Sequence, residues 1–137
     1  MGFLIDTSIW ISIERGTLGA ADIHALTRQE PVFISPVNIA EIQYGMELMK
    51  NAMHRQKAQS TLRRLKRKPL LRITGETGEV FGALAAELNK NGRSHDFRIN
   101  DLWLAAQAIQ RGFKLATLNE KDFRDIPGLN LVVIPGV

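Results

Sequence analysis

Phe3-Leu4-Ile5-Asp6-Thr7-Ser8 sets the reading of the whole chain, because three apolar residues run into a lone carboxylate with two hydroxyl residues directly behind it. A short apolar run of this kind is the pattern of a buried strand that delivers its last side chain to a sheet edge. Asp6-Thr7-Ser8 then offers helix-capping chemistry, and Ile9, Trp10 and Ile13 continue at helical spacing as far as Gly16, a suitable stop. A strand therefore passes straight into a helix.

Further along, Ala20 to Arg28 reads as a second helix and Val32-Phe33-Ile34 as a second strand. Ser35-Pro36 is a strong helix start, since Ser caps and Pro suits the first helical position. Val37, Ala40, Ile42, Tyr44 and Leu48 carry that helix onward and place Glu41 in its second turn. A long polar helix with apolar points at Met53, Leu62 and Leu65 runs to Pro69, and Leu70 to Ile73 is expected as a third strand. Val80, Leu84, Ala85 and Leu88 mark a helix closed by Asn91-Gly92. Asp101 opens a helix over Leu102 to Gln110, with Gly112 as its stop; Lys114 to Thr117 is a strand, Asn119 to Phe123 a turn or short helix, and Leu131 to Ile134 the last strand. Strands alternating with helices predict an α/β fold, a mostly parallel central sheet flanked by helices on both faces.

The 137 residues suffice for one domain with one core, expected to span residues 1–137 without internal repeat or linker. With 45% hydrophobic and 23% charged residues the composition is that of a globular protein. The absence of cysteine excludes disulfides and thiolate metal sites, so a metal has to be held by oxygen or by His24, His54 or His95. No basic leader and no apolar stretch of membrane-spanning length stand in the sequence, which sets the expectation of a cytoplasmic protein with no membrane partner. The net charge of +4 permits a polyanionic partner. Its excess gathers at Arg63, Arg64, Lys66, Arg67 and Lys68, where Arg63, Arg64, Arg67 and Lys68 are candidates for nucleic-acid binding against the commoner alternative of a solvated helix face.

Four acids sit alone at the ends of apolar runs: Asp6, Glu41 after Asn38-Ile39-Ala40, Asp101 before Leu102-Trp103-Leu104-Ala105-Ala106, and Asp122 after Thr117-Leu118-Asn119. Carboxylates beside buried elements are costly unless paired or metal-bound, and ligands of parallel sheets bind beyond the carboxyl ends of the strands. The topology brings three of the four to that edge, and Asp101, heading a crossover helix, is expected to join them. An oxygen-only donor set suits Mg²⁺ or Mn²⁺, and a pair of such ions is the usual clamp for phosphodiester hydrolysis. Singly, each acid has a plainer reading: Asp6 as a helix cap, Asp101 as a first-turn acid, Asp122 as a turn residue, Glu41 at the rim of an apolar face. Jointly those readings leave the convergence unexplained. Thr7 and Ser8 read as caps, Asn119 as a residue that bonds the turn or orients a carboxylate, Trp10 and Trp103 as core, and His95-Asp96 as part of a polar loop.

Taken together, Phe3-Leu4-Ile5-Asp6-Thr7-Ser8, Ile39-Ala40-Glu41-Ile42 with Tyr44-Gly45, Asp101-Leu102-Trp103-Leu104-Ala105-Ala106, and Thr117-Leu118-Asn119-Glu120-Lys121-Asp122-Phe123 resemble, in order and from end to end, the PIN-domain ribonucleases of the VapC type, toxins of toxin–antitoxin pairs. The resemblance implies the PIN three-layer sandwich, an acidic metal-binding set of Asp6, Glu41, Asp101 and Asp122, and supporting roles for Thr7 and Asn119. It further implies Mg²⁺- or Mn²⁺-dependent endoribonuclease activity on an RNA substrate leaving a 5′-phosphate and a 3′-hydroxyl, a homodimer, and a higher assembly with a cognate antitoxin. That antitoxin is expected to occupy the acidic cleft and an apolar groove beside it, burying Trp10 and Ile13. The sequence departs from the pattern at Asn100 and in the additional acid Asp96.

Rival readings are an RNA-processing nuclease with no toxin role, which the short chain disfavours, and a non-catalytic RNA-binding module, which four retained acids disfavour. A phosphoacceptor receiver would need a carboxylate pair after the first strand and an acid after Leu70-Leu71-Arg72-Ile73, and neither is present. A haloacid-type phosphatase would need a second aspartate in Asp6-Thr7-Ser8.

Overall fold

Alternation along two central strands sorts the core into two halves. The computed structural model describes residues 1–93 and 98–134. Its elements are β1 (Phe3–Ile5), α1 (Thr7–Arg15), α2 (Ala20–Thr27), β2 (Val32–Phe33), α3 (Pro36–Leu48), α4 (Ala52–Leu65), α5 (Gly75–Lys90), α6 (Ile99–Arg111), β3 (Lys114–Thr117), α7 (Glu120–Phe123) and β4 (Asn130–Val133). The strands form one sheet in the order β2-β1-β3-β4, every pair parallel. Phe3 and Ile5 of β1, with Ala116 of β3, turn to one face, where Ile9, Trp10, Ile42, Met46, Leu62 and Leu65 of α1, α3 and α4 cover them. Leu4 and Leu115 turn to the other face, against Leu84, Leu88, Leu102 and Leu104 of α5 and α6. A strand's period of two thus feeds both outer layers at once. The result is the expected α/β three-layer sandwich.

Most expected boundaries hold. Gly16 and Gly112 end α1 and α6 with φ of 81° and 69°, left-handed values that a side chain would resist. Ser35 caps α3 by accepting from the Val37 N–H, with Pro36 in the first turn. Asn51 caps α4 through the N–H groups of Met53 and His54.

The expected third strand over Leu70 to Ile73 does not form. Only an isolated parallel bridge joins Ile34 to Leu70, while the Leu71 carbonyl accepts from the Gln107 side-chain amide at 2.7 Å. Leu70 and Ile73 remain exposed, and Pro69 has no N–H to extend a ladder. A side chain of α6 thus serves backbone that a neighbouring strand otherwise would. Gln107 is itself fully buried and also accepts from the Ser35 hydroxyl at 2.5 Å, tying α6 to the cap of α3.

Two smaller corrections bear on the site. Helix α6 starts at Ile99, so Asp101 lies inside its first turn and does not open it, and β4 runs one residue earlier than expected. His95 and Asp96 lie outside the described residues. Among the described residues no helix is long and apolar enough to cross a membrane.

Candidate metal and nuclease site

Asp6 is the residue after β1, and its backbone N–H donates to the Ala116 carbonyl at 2.9 Å, continuing the ladder one step past the strand. It stands at the cap position of α1, yet its side chain makes no capping bond, so the plainer reading as a helix cap fails. Its Oδ2 instead accepts from the Thr117 hydroxyl and the Ser8 hydroxyl, each at 2.8 Å. The residue is only 6% exposed, and burial, opposed by those two bonds, raises its carboxyl above the ordinary aspartate range.

Glu41 lies in the second turn of α3, as its helical spacing predicts. Its Oε1 accepts from the Thr7 hydroxyl at 2.7 Å, and the Asn100 side chain also hydrogen-bonds it. Burial lifts its carboxyl, with a smaller push from the charge on Asp6. Asp101, in the first turn of α6, is lifted to about 7 by burial first, then by Asp6, Asp122 and Glu41 in turn. Asp122 projects from the exposed short helix α7.

All four acids line one cleft of about 760 Å³ at the carboxyl end of the sheet, together with Thr7, Ser8, Ile11, Tyr44, Asn100 and Asn119. Among the described residues no three acidic or imidazole groups converge closely enough to form a ready-made cage for one ion. The carboxylates still feel one another: burial is the first cause of the raised Asp101 carboxyl, and the charges of Asp6, Asp122 and Glu41 add to it. The donor set still fits a hard divalent cation: it is oxygen-only, anionic, partly desolvated, and two of its members, Asp6 and Glu41, are already hydrogen-bonded in place. Among the described residues no histidine lines the cleft. His24 lies instead in a separate groove and His54 on exposed α4.

Four contributors were given no role in the site from sequence. Thr117 orients Asp6; Asn119, expected to bond the turn or orient a carboxylate, lines the cleft, its side chain makes no capping bond, and its backbone N–H donates to the Thr117 hydroxyl at 2.9 Å. A hydroxyl at the end of strand β3 directly beside β1 was the available signal. Asn38, fully buried, donates to the Thr7 hydroxyl. Asn100, the departure from the family pattern, faces Glu41. Arg98 forms a bidentate pair with Asp125 at 2.8 Å to each carboxylate oxygen and donates to the Asp122 carbonyl at 2.6 Å, which ties α7 to the start of α6.

The basic cluster falls elsewhere. Arg63, Arg64 and Arg67 are exposed and Lys68 half-buried, and none of the four lines the cleft. Arg64 and Lys68 border a separate groove of about 390 Å³ with Trp10, Ile13, Ile23 and Leu65, where the Lys68 ammonium stands 5.7 Å from the Trp10 ring centre. Trp10 is already buried at 6% exposure, so it is core, as expected, and forms the floor of that groove more than a surface waiting for cover. Trp103 is half-buried and stacks on Phe81 with ring centres 4.2 Å apart.

Against known proteins, residues 3–129 match the PIN domain family. Ribonuclease VapC of Rickettsia bellii is 29% identical over 136 residues, 98% of each chain. Ribonuclease VapC1 of Rickettsia felis is 30% identical over 135 residues, 98% of this chain and 97% of that one. Among solved structures, VapBC2 from Rickettsia felis, bound to a DNA fragment from their promoter, aligns with a TM-score of 0.84 at 27% identity over 98% of this chain and 100% of that chain. VapBC-1 from nontypeable Haemophilus influenzae aligns with a TM-score of 0.79 at 25% identity over 97% and 98% of the two chains. With its four acids gathered at the carboxyl edge of a parallel sheet and its whole length shared with these relatives, the chain belongs to the PIN-domain family and is of the VapC ribonuclease type.

Proposed function

We propose that this protein is the endoribonuclease toxin of a toxin–antitoxin pair and that it cleaves RNA with Mg²⁺ or Mn²⁺ held by Asp6, Glu41, Asp101 and Asp122. The observation that carries the reading is the gathering of four carboxylates in one cleft, with Asp101 lifted to about 7 by burial and by the charges of the other three. When bound, a divalent cation in such a site lowers the pKa of water and offsets the charge that builds on phosphate during hydrolysis.

The residues around it have definite tasks. Thr117 and Ser8 hold one oxygen of Asp6, and Thr7 and Asn100 hold Glu41, so both acids are kept in place by donors that favour the ionised form against burial. In the hydrolysis a water oxygen bonds to phosphorus while the bond to the 3′-oxygen breaks. That oxygen takes up a proton, which gives the 5′-phosphate and 3′-hydroxyl ends.

The relatives are ribonucleases by name, and the aligned Rickettsia felis and Haemophilus influenzae structures are VapBC assemblies, which supports an antitoxin partner over an RNA-maturation role. The cleft is the natural receptor for an antitoxin arginine, whose planar fork pairs with carboxylates, and the apolar groove beside Ile13 suits an amphipathic helix. Exposed Tyr44 and Leu48, one turn apart on α3, support a homodimer through that face of the helix. An RNA substrate and an antitoxin partner fit a cytoplasmic location, and residues 1–137 are read as one PIN domain.

The test is cleavage of RNA by purified protein with Mg²⁺, with Mn²⁺ and with chelator, beside Asp6→Asn. We expect cleavage lost in chelator and in the variant, by two orders of magnitude or more, on the scale of losing a charge-stabilising group (roughly 10²–10³). Cleavage by folded Asp6→Asn at the wild-type rate overturns the reading.

A further inference from the structure

The amide of Asn38 can be oriented without ambiguity. One of its ends accepts from the Ser35 N–H at 2.9 Å, which only the side-chain oxygen can do. Its other end meets the Ile5 carbonyl at 3.0 Å, which only the nitrogen can do. The second proton of that nitrogen goes to the Thr7 hydroxyl oxygen at 3.0 Å. A hydroxyl has one proton, and with Asn38 donating to its oxygen the Thr7 proton is left for Glu41 Oε1, 2.7 Å away. The chain of donors therefore runs one way, from the Ser35 backbone through Asn38 and Thr7 to Glu41.

Two further facts give this a mechanical sense. Asn38 lies in the first turn of α3 and Glu41 in the next, so a residue of the same helix fixes the hydroxyl that holds the acid. Asn38 also grips the Ile5 carbonyl, the last of β1 and the residue before Asp6. It is fully buried, so bulk water does not compete with it for these bonds.

We infer that Asn38 is a positioning residue which, through Thr7, sets the carboxylate of Glu41 and its registration against Asp6 for cation binding. The inference rests on the metal-site reading above. Without Asn38, the Thr7 hydroxyl is free to turn its proton elsewhere and Glu41 loses a fixed donor. Groups of this outer rank typically change metal affinity by about 10–100-fold.

The experiment is calorimetric titration of the RNA-free protein with Mn²⁺, for wild type, Asn38→Ala, Asn38→Asp, Thr7→Val, Thr7→Ser and the Asn38→Ala/Thr7→Val double variant, with folding checked by circular dichroism. Asn38→Ala and Thr7→Val are each expected to weaken Mn²⁺ binding by about tenfold, and the double variant no further than either. Asn38→Asp keeps the shape but cannot donate when ionised, so the Thr7 proton turns toward it and the loss matches that of alanine. Thr7→Ser, which keeps the hydroxyl, recovers affinity relative to Thr7→Val. Should Asn38→Ala fail to fold, Asn38→Asp in the Thr7 wild-type and Thr7→Val backgrounds makes the same comparison. Unchanged Mn²⁺ affinity in a folded Asn38 variant, or losses that multiply in the double variant, overturns this inference alone. A wild-type protein that binds no Mn²⁺ overturns the metal-site reading and this inference with it.

Discussion

Asp101 gives the site a pH signature that can be read without substrate. Its carboxyl is held at about 7 by burial and by the charges of Asp6, Asp122 and Glu41, with Arg98 pulling the other way. In an unfolded chain an aspartate titrates near 3.9, so between roughly pH 4 and pH 7 the folded protein keeps a proton that the unfolded chain has released. Stability in chelator therefore falls as pH rises through that window, and is flat with respect to this group above it. A shift of that size corresponds to at most about 4 kcal/mol; Asp101 is partly exposed, so screening by water brings the expected effect to about 2 kcal/mol. Asp101→Asn carries no charge to bury. It should exceed the metal-free wild type by about 2 kcal/mol at pH 8, roughly 6 °C in melting temperature for a chain of this size, and the two should converge as the pH approaches 4. Saturating Mg²⁺ at pH 8 should raise the wild type toward the variant. The assay is thermal and urea unfolding in chelator at pH 4, 6 and 8. A constant difference between the two proteins across that range would contradict this account, because it would mean that the Asp101 charge is not what the fold strains against.

The remaining expectations concern surfaces beyond the acids. Asp125→Ala should destabilise the protein by about 3 kcal/mol in urea unfolding, because the Arg98–Asp125 pair is nearly buried, at 12% and 10% side-chain exposure, and removal of one partner strands the other charge. Arg98 holds the Asp125 carboxyl below the ordinary range, so that contribution is present above about pH 4 and lost as the pH falls further. Neutralising Arg63, Arg64, Arg67 and Lys68 together should flatten the salt dependence of RNA binding by about one unit of slope for each phosphate no longer neutralised; an unchanged slope assigns this surface, which lies outside the cleft, to solvent or to another partner.

Four of the five expected strands, the helices between them, the parallel arrangement that their alternation implies and the four acids were legible in the amino-acid order alone, because each is read from a local pattern. Apolar runs of two to four residues, glycine stops at Gly16 and Gly112, and the Ser35-Pro36 start act within a few residues of themselves. Asp6, Glu41, Asp101 and Asp122 stand out because a carboxylate beside an apolar run is a local anomaly whatever the chain does elsewhere. The missing strand at Leu70 to Ile73 was not legible, since what replaced its ladder was the amide of Gln107, 36 residues further along the chain. The supporting set was hidden for the same reason. Thr117 reaches Asp6 across 111 residues, Asn38 reaches Thr7 across 31, and Arg98 reaches Asp125 across 27. Serines, threonines and asparagines are common polar residues whose sequence neighbours say nothing of their spatial ones; only the close packing of strand ends and helix starts at one sheet edge turns them from ordinary polar residues into the groups that hold the acids.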